Sequence, residues 1–141
     1  MSSPWLQPVI LGGDIGAYSL ARTFHEAYGV RSVVVSSAST GLVRHSAVLE
    51  SVVEPRMDDD DVLVARLLEI ADQHAGRELI LLGSADWLVR AVVVNRERLE
   101  GRYVVPYVPL DVLDRVTDKA GFSALCTELD IAHPQTVVVE V

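Results

Sequence analysis

Apolar residues fall into two kinds of pattern along this chain, short unbroken runs and longer stretches at helical spacing. Val9-Ile10-Leu11 is an unbroken run ending at Gly12-Gly13, which predicts a buried first strand and a tight turn. From Ile15 to Tyr28 the apolar positions Ile15, Leu20, Phe24, Ala27 and Tyr28 are spaced for a helix, and Gly29 follows as its stop. Ser32-Val33-Val34-Val35 predicts a second strand. Its unbroken apolar run suits a parallel sheet covered on both faces. Ser36 to Ser46 is rich in Ser, Thr and Gly and reads as a loop, and Leu49 to Val53 as a third strand closed by Pro55.

Asp58 to Asp61 then precede Val62, Leu63, Ala65, Leu67, Leu68, Ile70 and Ala71. This predicts a second helix whose first-turn acids offset the positive end of its dipole. Leu79 to Leu82 predicts a fourth strand ending at Gly83. Ser84 is placed to cap a third helix reaching about Leu99, and Tyr103-Val104-Val105 is a short strand before Pro106. Strands and helices that alternate in this way imply a mainly parallel α/β sheet with right-handed crossovers.

After Pro109 the character changes. Leu110 to Val116 predicts a short helical link, and Asp118 to Leu129 an amphipathic helix with Phe122, Leu125 and Cys126 on one face. Val137 to Val141 reads as a strand in which the chain stops. Domains seldom stop in mid-strand, so the sequence is expected to be a piece of a longer chain. The expected organisation is an α/β domain over 1–110 and, over 111–141, a linker, helix and first strand of a second, truncated domain.

Composition narrows the function. The 141 residues carry a net charge of −8, and half are hydrophobic; mean hydropathy is +0.29. Such a chain is globular, and its acidic surface without a Lys/Arg cluster argues against nucleic acid. No stretch approaches the ~18 apolar residues of a membrane span, and Met1 to Gly13 lacks a basic region ahead of a long apolar core. Cys126 is the lone cysteine, which excludes an internal disulfide and points to a reducing, cytoplasmic setting. On the apolar face of a helix it reads as a packed small hydrophobe.

Two turns carry candidate chemistry. Gly12-Gly13-Asp14-Ile15-Gly16 runs from strand to helix, where glycines let backbone N–H groups approach a ligand. Gly13 and Gly16 fit the second half of a dinucleotide fingerprint, but Leu11 stands at its first glycine and Ser36-Ser37 where a ribose-binding acid belongs. NAD is therefore disfavoured. The turn either packs helix on sheet or receives an anionic small substrate. Gly83-Ser84-Ala85-Asp86 lies at the end of another parallel strand, so both turns should face one crevice. There Ser84 can donate a hydrogen bond and Asp86 can hold an ammonium, or the pair simply caps a helix. The four aspartates read as a solvated cap, since no calcium-loop spacing follows. His25, His45, His74 and His133 have no zinc spacing.

Two longer segments bring in a family. Asp118-Lys119-Ala120-Gly121-Phe122, then Leu125-Cys126, then Leu129-Asp130-Ile131-Ala132-His133-Pro134-Gln135-Thr136, is similar to a stretch of ATP-grasp ligases. In that family a "DK…F…LC…LGI-x-x-P-x-T" segment follows an N-terminal Rossmann-like domain and opens the ATP-grasp fold. Pro8 to Arg22, with Phe24 to Gly29, resembles the opening of bacterial carboxylate–amine ligases of the D-aspartate ligase kind. The segments stand in the family's order and nearly span the chain. One departure is Asp130 where the family has Gly, which predicts a looser helix end.

The resemblance implies a pre-ATP-grasp, three-layer Rossmann-like domain from the substrate side of such a ligase. In the complete enzyme, ATP and Mg²⁺ would convert a carboxylate to an acylphosphate that an amine then attacks. The family's metal ligands and phosphate-binding strand lie beyond position 141, so this chain alone is expected to be inactive and to bind neither tightly. By resemblance Lys119 matches a position that touches nucleotide phosphate, and Gly12, Gly13, Asp14, Ile15, Ser84 and Asp86 match loops that help form the site for the other substrate. An exposed C-terminal segment would favour self-association. The competing expectation is a stand-alone Rossmann-like module for a small anion or nucleotide.

Overall fold

The computed structural model describes residues 5–137 and 139. The chain divides into two compact units, Met1–Tyr107 and Val108–Val141. In the first, β1 (Leu6–Leu11), β2 (Ser32–Ser36), β3 (Leu49–Val53) and β4 (Glu78–Gly83) form one sheet in the order β3-β2-β1-β4. All pairings are parallel. The helices of this unit are α1 (Ile15–Tyr28), α2 (Gly41–Arg44), α3 (Asp60–Gln73), α4 (Asp86–Val94) and α5 (Arg96–Leu99).

Strand alternation sorts the core into two layers. Val9, Leu11, Val33, Val35, Leu79 and Leu81 face the side covered by Leu63, Leu67 and Ile70 of α3, Leu88 and Val92 of α4, and Leu99 of α5. Ile10 and Val34 face the side covered by Ala17 and Ala21 of α1 and Val43 of α2. The unit is thus an α/β, three-layer Rossmann-like fold. Because β1 and β2 are covered on both sheet faces, their centres read as unbroken apolar runs instead of alternating ones.

Several expectations change in detail. The face of α1 that packs is made by Ala17 and Ala21, while Ile15 and Tyr28 lie exposed. Small side chains let the helix sit close to the sheet, and half-buried Leu20 packs beside them. The loop after β2 contains the turn of α2, anchored by buried Val43. The expected third helix breaks at buried Asn95, whose side chain donates to the Ala91 carbonyl at 2.9 Å and competes with the helix ladder. Tyr103–Val105 contributes only an isolated parallel bridge between Val104 and Ile80.

The second unit holds α6 (Leu110–Thr117) and α7 (Lys119–Glu128). Asp118 caps α7 by accepting from the Gly121 N–H at 2.7 Å. A Cβ on Gly121 would stand 2.8 Å from the Arg115 carbonyl oxygen, so a glycine is required where α6 and α7 meet. Cys126 is buried within this unit. Asp130 adopts φ 54°, the left-handed conformation a glycine would take, and the Ile131 N–H closes the helix end on the Cys126 carbonyl at 2.8 Å. Aspartate tolerates this region better than most residues, so the end stays closed. Of the expected strand at 137–141, residues 138, 140 and 141 lie outside the described residues.

Candidate functional site at the carboxyl ends of β1 and β4

Strand order reverses direction around β1. The chain passes from β1 outward to β2 and β3, then returns to place β4 on the other side of β1. The crevice beyond such a switch point is where open α/β sheets receive ligands. Leu11 pairs with Gly83 there, and the Ser84 N–H donates to the Leu11 carbonyl at 2.9 Å. The two candidate turns therefore meet, as their places in the chain predicted.

Their contact depends on glycine. Gly12 has φ 126°, and a Cβ there would stand 2.0 Å from Ser84 Oγ and 3.1 Å from Ser84 Cβ. A Cβ on Gly13 would press on Ser36 Cβ at 3.0 Å. A Cβ on Gly83 would meet the Val89 amide nitrogen at 2.9 Å. Three glycines thus bring the ends of β1, β2 and β4 and the start of α4 together.

Asp14 is exposed and caps α1, its Oδ1 accepting from the Ala17 N–H at 2.9 Å. That bond holds its carboxyl below the usual carboxylate range against some desolvation, with smaller help from Ser84 and from the amides of Asp14 and Gly16. The chain's own carboxylate thus takes the place at the helix N-terminus that a ligand anion would take. Ile15, the next residue, is exposed beside it. The Ser84 hydroxyl is sealed from solvent and has no partner in hydrogen-bond geometry, although it lies close enough to Asp14 to favour its charged form. Ser84 is not the cap of α4; that position is Ala85, without a side-chain bond. The Ser84 hydroxyl lies against Gly12 and close to Asp14. Asp86 is exposed in the first turn of α4. The crevice therefore carries two carboxylates and one buried hydroxyl.

Two further residues support the turns. Thr40 Oγ1 donates to the Gly13 carbonyl at 2.8 Å. Its position in the loop after β2, beside β1, is the signal that could have found it. Tyr107 Oη accepts from the Gly83 N–H at 2.9 Å, and Arg96 holds the Tyr107 carbonyl at 2.5 Å. Nothing in the local sequence announces that contact.

Lys119 belongs to the second unit, at the start of α7. It is exposed and lines a cavity of about 280 Å³ with Phe122, Ser123, His133, Pro134 and Thr136. His133 is fixed there, its ring nitrogens 3.0 Å from Thr127 Oγ1 and 3.0 Å from the Pro134 carbonyl oxygen. Among the described residues no group of three or more His, Cys, Asp or Glu is placed to hold a metal ion. Among them, too, no helix is long and apolar enough to cross a membrane.

Comparison with known proteins agrees with the resemblance read from the sequence. The chain is similar to the D-aspartate ligase of Enterococcus faecium (strain Aus0004), 27% identical over 135 residues. The match covers 94% of this chain and 32% of the relative, so the chain spans about a third of that protein's length. No protein-family model matches the sequence.

Proposed function

We propose that this chain is the N-terminal, substrate-side part of an ATP-dependent carboxylate–amine ligase of the ATP-grasp kind, in which amide formation proceeds through an acylphosphate. The observation that carries the reading is the similarity to D-aspartate ligase along 94% of the chain. The geometry supports it, because the turns matched to substrate loops meet at the switch point of the sheet.

In this reading Gly12, Gly13 and Gly83 let the backbone come close to a small substrate. Ser84 presents a hydroxyl that is shielded from water and has no partner in hydrogen-bond geometry, although it lies close to the Asp14 carboxylate. A buried hydroxyl of this kind regains about 1 kcal/mol or more when a ligand pairs with it. Asp14 and Asp86 supply negative charge, which suits an ammonium group, whereas a carboxylate would need its partner from elsewhere in the parent. D-aspartate, named by the relative, carries both groups and is the first substrate to test.

ATP and Mg²⁺ do not fit the described residues by themselves. Lys119 is one exposed cation beside a small cavity, and no metal-ligand cluster accompanies it. The proposal therefore assigns the phosphate chemistry to the remainder of a longer parent, and inactivity to the chain alone. Calorimetry with ATP at saturating Mg²⁺ tests this. The expected result is no Mg²⁺-dependent binding tighter than about 1 mM, a free energy near −4 kcal/mol. Micromolar, Mg²⁺-dependent binding would overturn the reading and favour a self-contained nucleotide module.

A further inference from the structure

The turn that carries Ser84 is pinned from both edges of β4. On the β1 side, the Ser84 N–H donates to the Leu11 carbonyl at 2.9 Å. On the other side, the Gly83 N–H donates to Tyr107 Oη at 2.9 Å. That phenol stands where a backbone carbonyl would continue the sheet. Val104 bridges β4 at Ile80, donating to the Leu79 carbonyl at 2.7 Å and accepting from the Leu81 N–H at 3.0 Å. A regular parallel ladder would next bring residue 106 to the Gly83 N–H. Residue 106 is proline, which has no N–H to give the ladder, and the bridge stays isolated. The side chain of Tyr107 serves Gly83 instead.

Tyr107 is itself held firmly. Its ring packs against the core layer that contains Leu81 and Leu88. Arg96 donates to the Tyr107 carbonyl at 2.5 Å and to the Val105 carbonyl at 3.4 Å. Hydrogen-bond satisfaction alone does not require a phenol here. Gly83 is half-buried, so water could serve its N–H. What a fixed side chain adds is rigidity at the residue before Ser84.

We propose that Tyr107 is a positioning residue of the candidate site, which fixes the Gly83–Ser84 peptide so that the Ser84 hydroxyl meets a substrate in a turn that is already ordered. The identity of that substrate rests on the ligase reading above. The Ser84 hydroxyl has no partner in hydrogen-bond geometry, so a ligand can pair with it. The gain is largest when the hydroxyl does not have to be ordered at the moment of binding. Tyr107 acts through Ser84 and does not itself touch the substrate.

Tyr107→Phe in the full chain keeps the packed ring and removes the acceptor of the Gly83 N–H. Two measurements follow it. Without ligand, amide exchange at Gly83 and Ser84 should quicken about tenfold, while Leu81, paired with Val104, keeps its rate. With D-aspartate as the probe, amide shifts should report binding weakened about fivefold, the worth of one neutral hydrogen bond. In a Ser84→Ala background the same substitution should change affinity less than about twofold, because the group it positions is gone. A tyrosine that merely stabilises the fold would quicken exchange at Leu81 as well, and would weaken binding equally in both backgrounds; either result would overturn the proposal. So would unchanged exchange at Gly83 and Ser84. If D-aspartate shifts no amide of the unaltered chain, the ligase reading fails, and exchange at Gly83, Ser84 and Leu81 alone decides whether Tyr107 fixes the turn.

Discussion

Substituting Gly12 by alanine probes the contact on which the candidate site is built. Two costs can be worked from the structure. First, φ 126° lies in a region that residues with a Cβ avoid, which costs about 1–3 kcal/mol. Second, the new Cβ would sit 2.0 Å from Ser84 Oγ and 3.1 Å from Ser84 Cβ, so Ser84 must shift at a further cost of about 1–3 kcal/mol. The sum is roughly 2–6 kcal/mol, a large share of the stability of a small domain. Urea denaturation measures it, and the second substitution Ser84→Ala separates the parts. In that background the Oγ clash is gone, so Gly12→Ala should cost about 1–2 kcal/mol less. Gly29→Ala is the control for backbone strain alone. Gly29 also has positive φ, 66°, but a Cβ there meets nothing within 4 Å, so about 1–2 kcal/mol is expected. A cost for Gly12→Ala no greater than for Gly29→Ala, or one unchanged by Ser84→Ala, would refute the packing of the two turns.

Three other substitutions follow from the same structure. Ser32 is fully buried with an unpaired hydroxyl, so Ser32→Ala should be neutral or stabilise by about 1 kcal/mol in urea unfolding; a clear loss would reveal a partner for that hydroxyl. Tyr103 donates to the Leu67 carbonyl at 2.7 Å inside the core, so Tyr103→Phe should cost about 1–2 kcal/mol. Burial pushes the Tyr103 phenol well above its ordinary value, despite nearby Arg102. A raised folded value means its contribution is complete below about pH 10 and is lost as pH rises further, which tyrosine absorbance during alkaline unfolding should show. Asp14→Ala removes the α1 cap and should cost about 0.5–2 kcal/mol. Because its carboxyl is lowered, that contribution is present above about pH 4 and fades as pH falls, so the gap to the parent chain should close in acid.

Much of the fold is legible because it follows from local pattern. The buried strands announce themselves as Val9–Leu11, Val33–Val35 and Leu79–Leu82, since a parallel sheet needs apolar side chains on both faces. Helix α1 ends where Gly29 takes the left-handed conformation. What local pattern misses is decided across the fold. Ala17 and Ala21 become the inner face of α1 because the sheet comes close, which no hydrophobicity ranking reveals. Asn95 breaks a helix through its own side chain and burial. The meeting of the two turns was legible from strand order, but the loss of Ser84 as a cap was not. Its hydroxyl packs against Gly12, a residue seventy-two positions away in the sequence.

The most direct test of the account is an amide-resolved NMR titration of the full chain with D-aspartate, taken to tens of millimolar because half a site binds weakly, at about −2 to −4 kcal/mol. The account predicts saturable shifts centred on Gly12, Gly13, Gly16, Ser84 and Asp86, weakened by Ser84→Ala. Shifts confined to other residues, or none at all over that range, would contradict it.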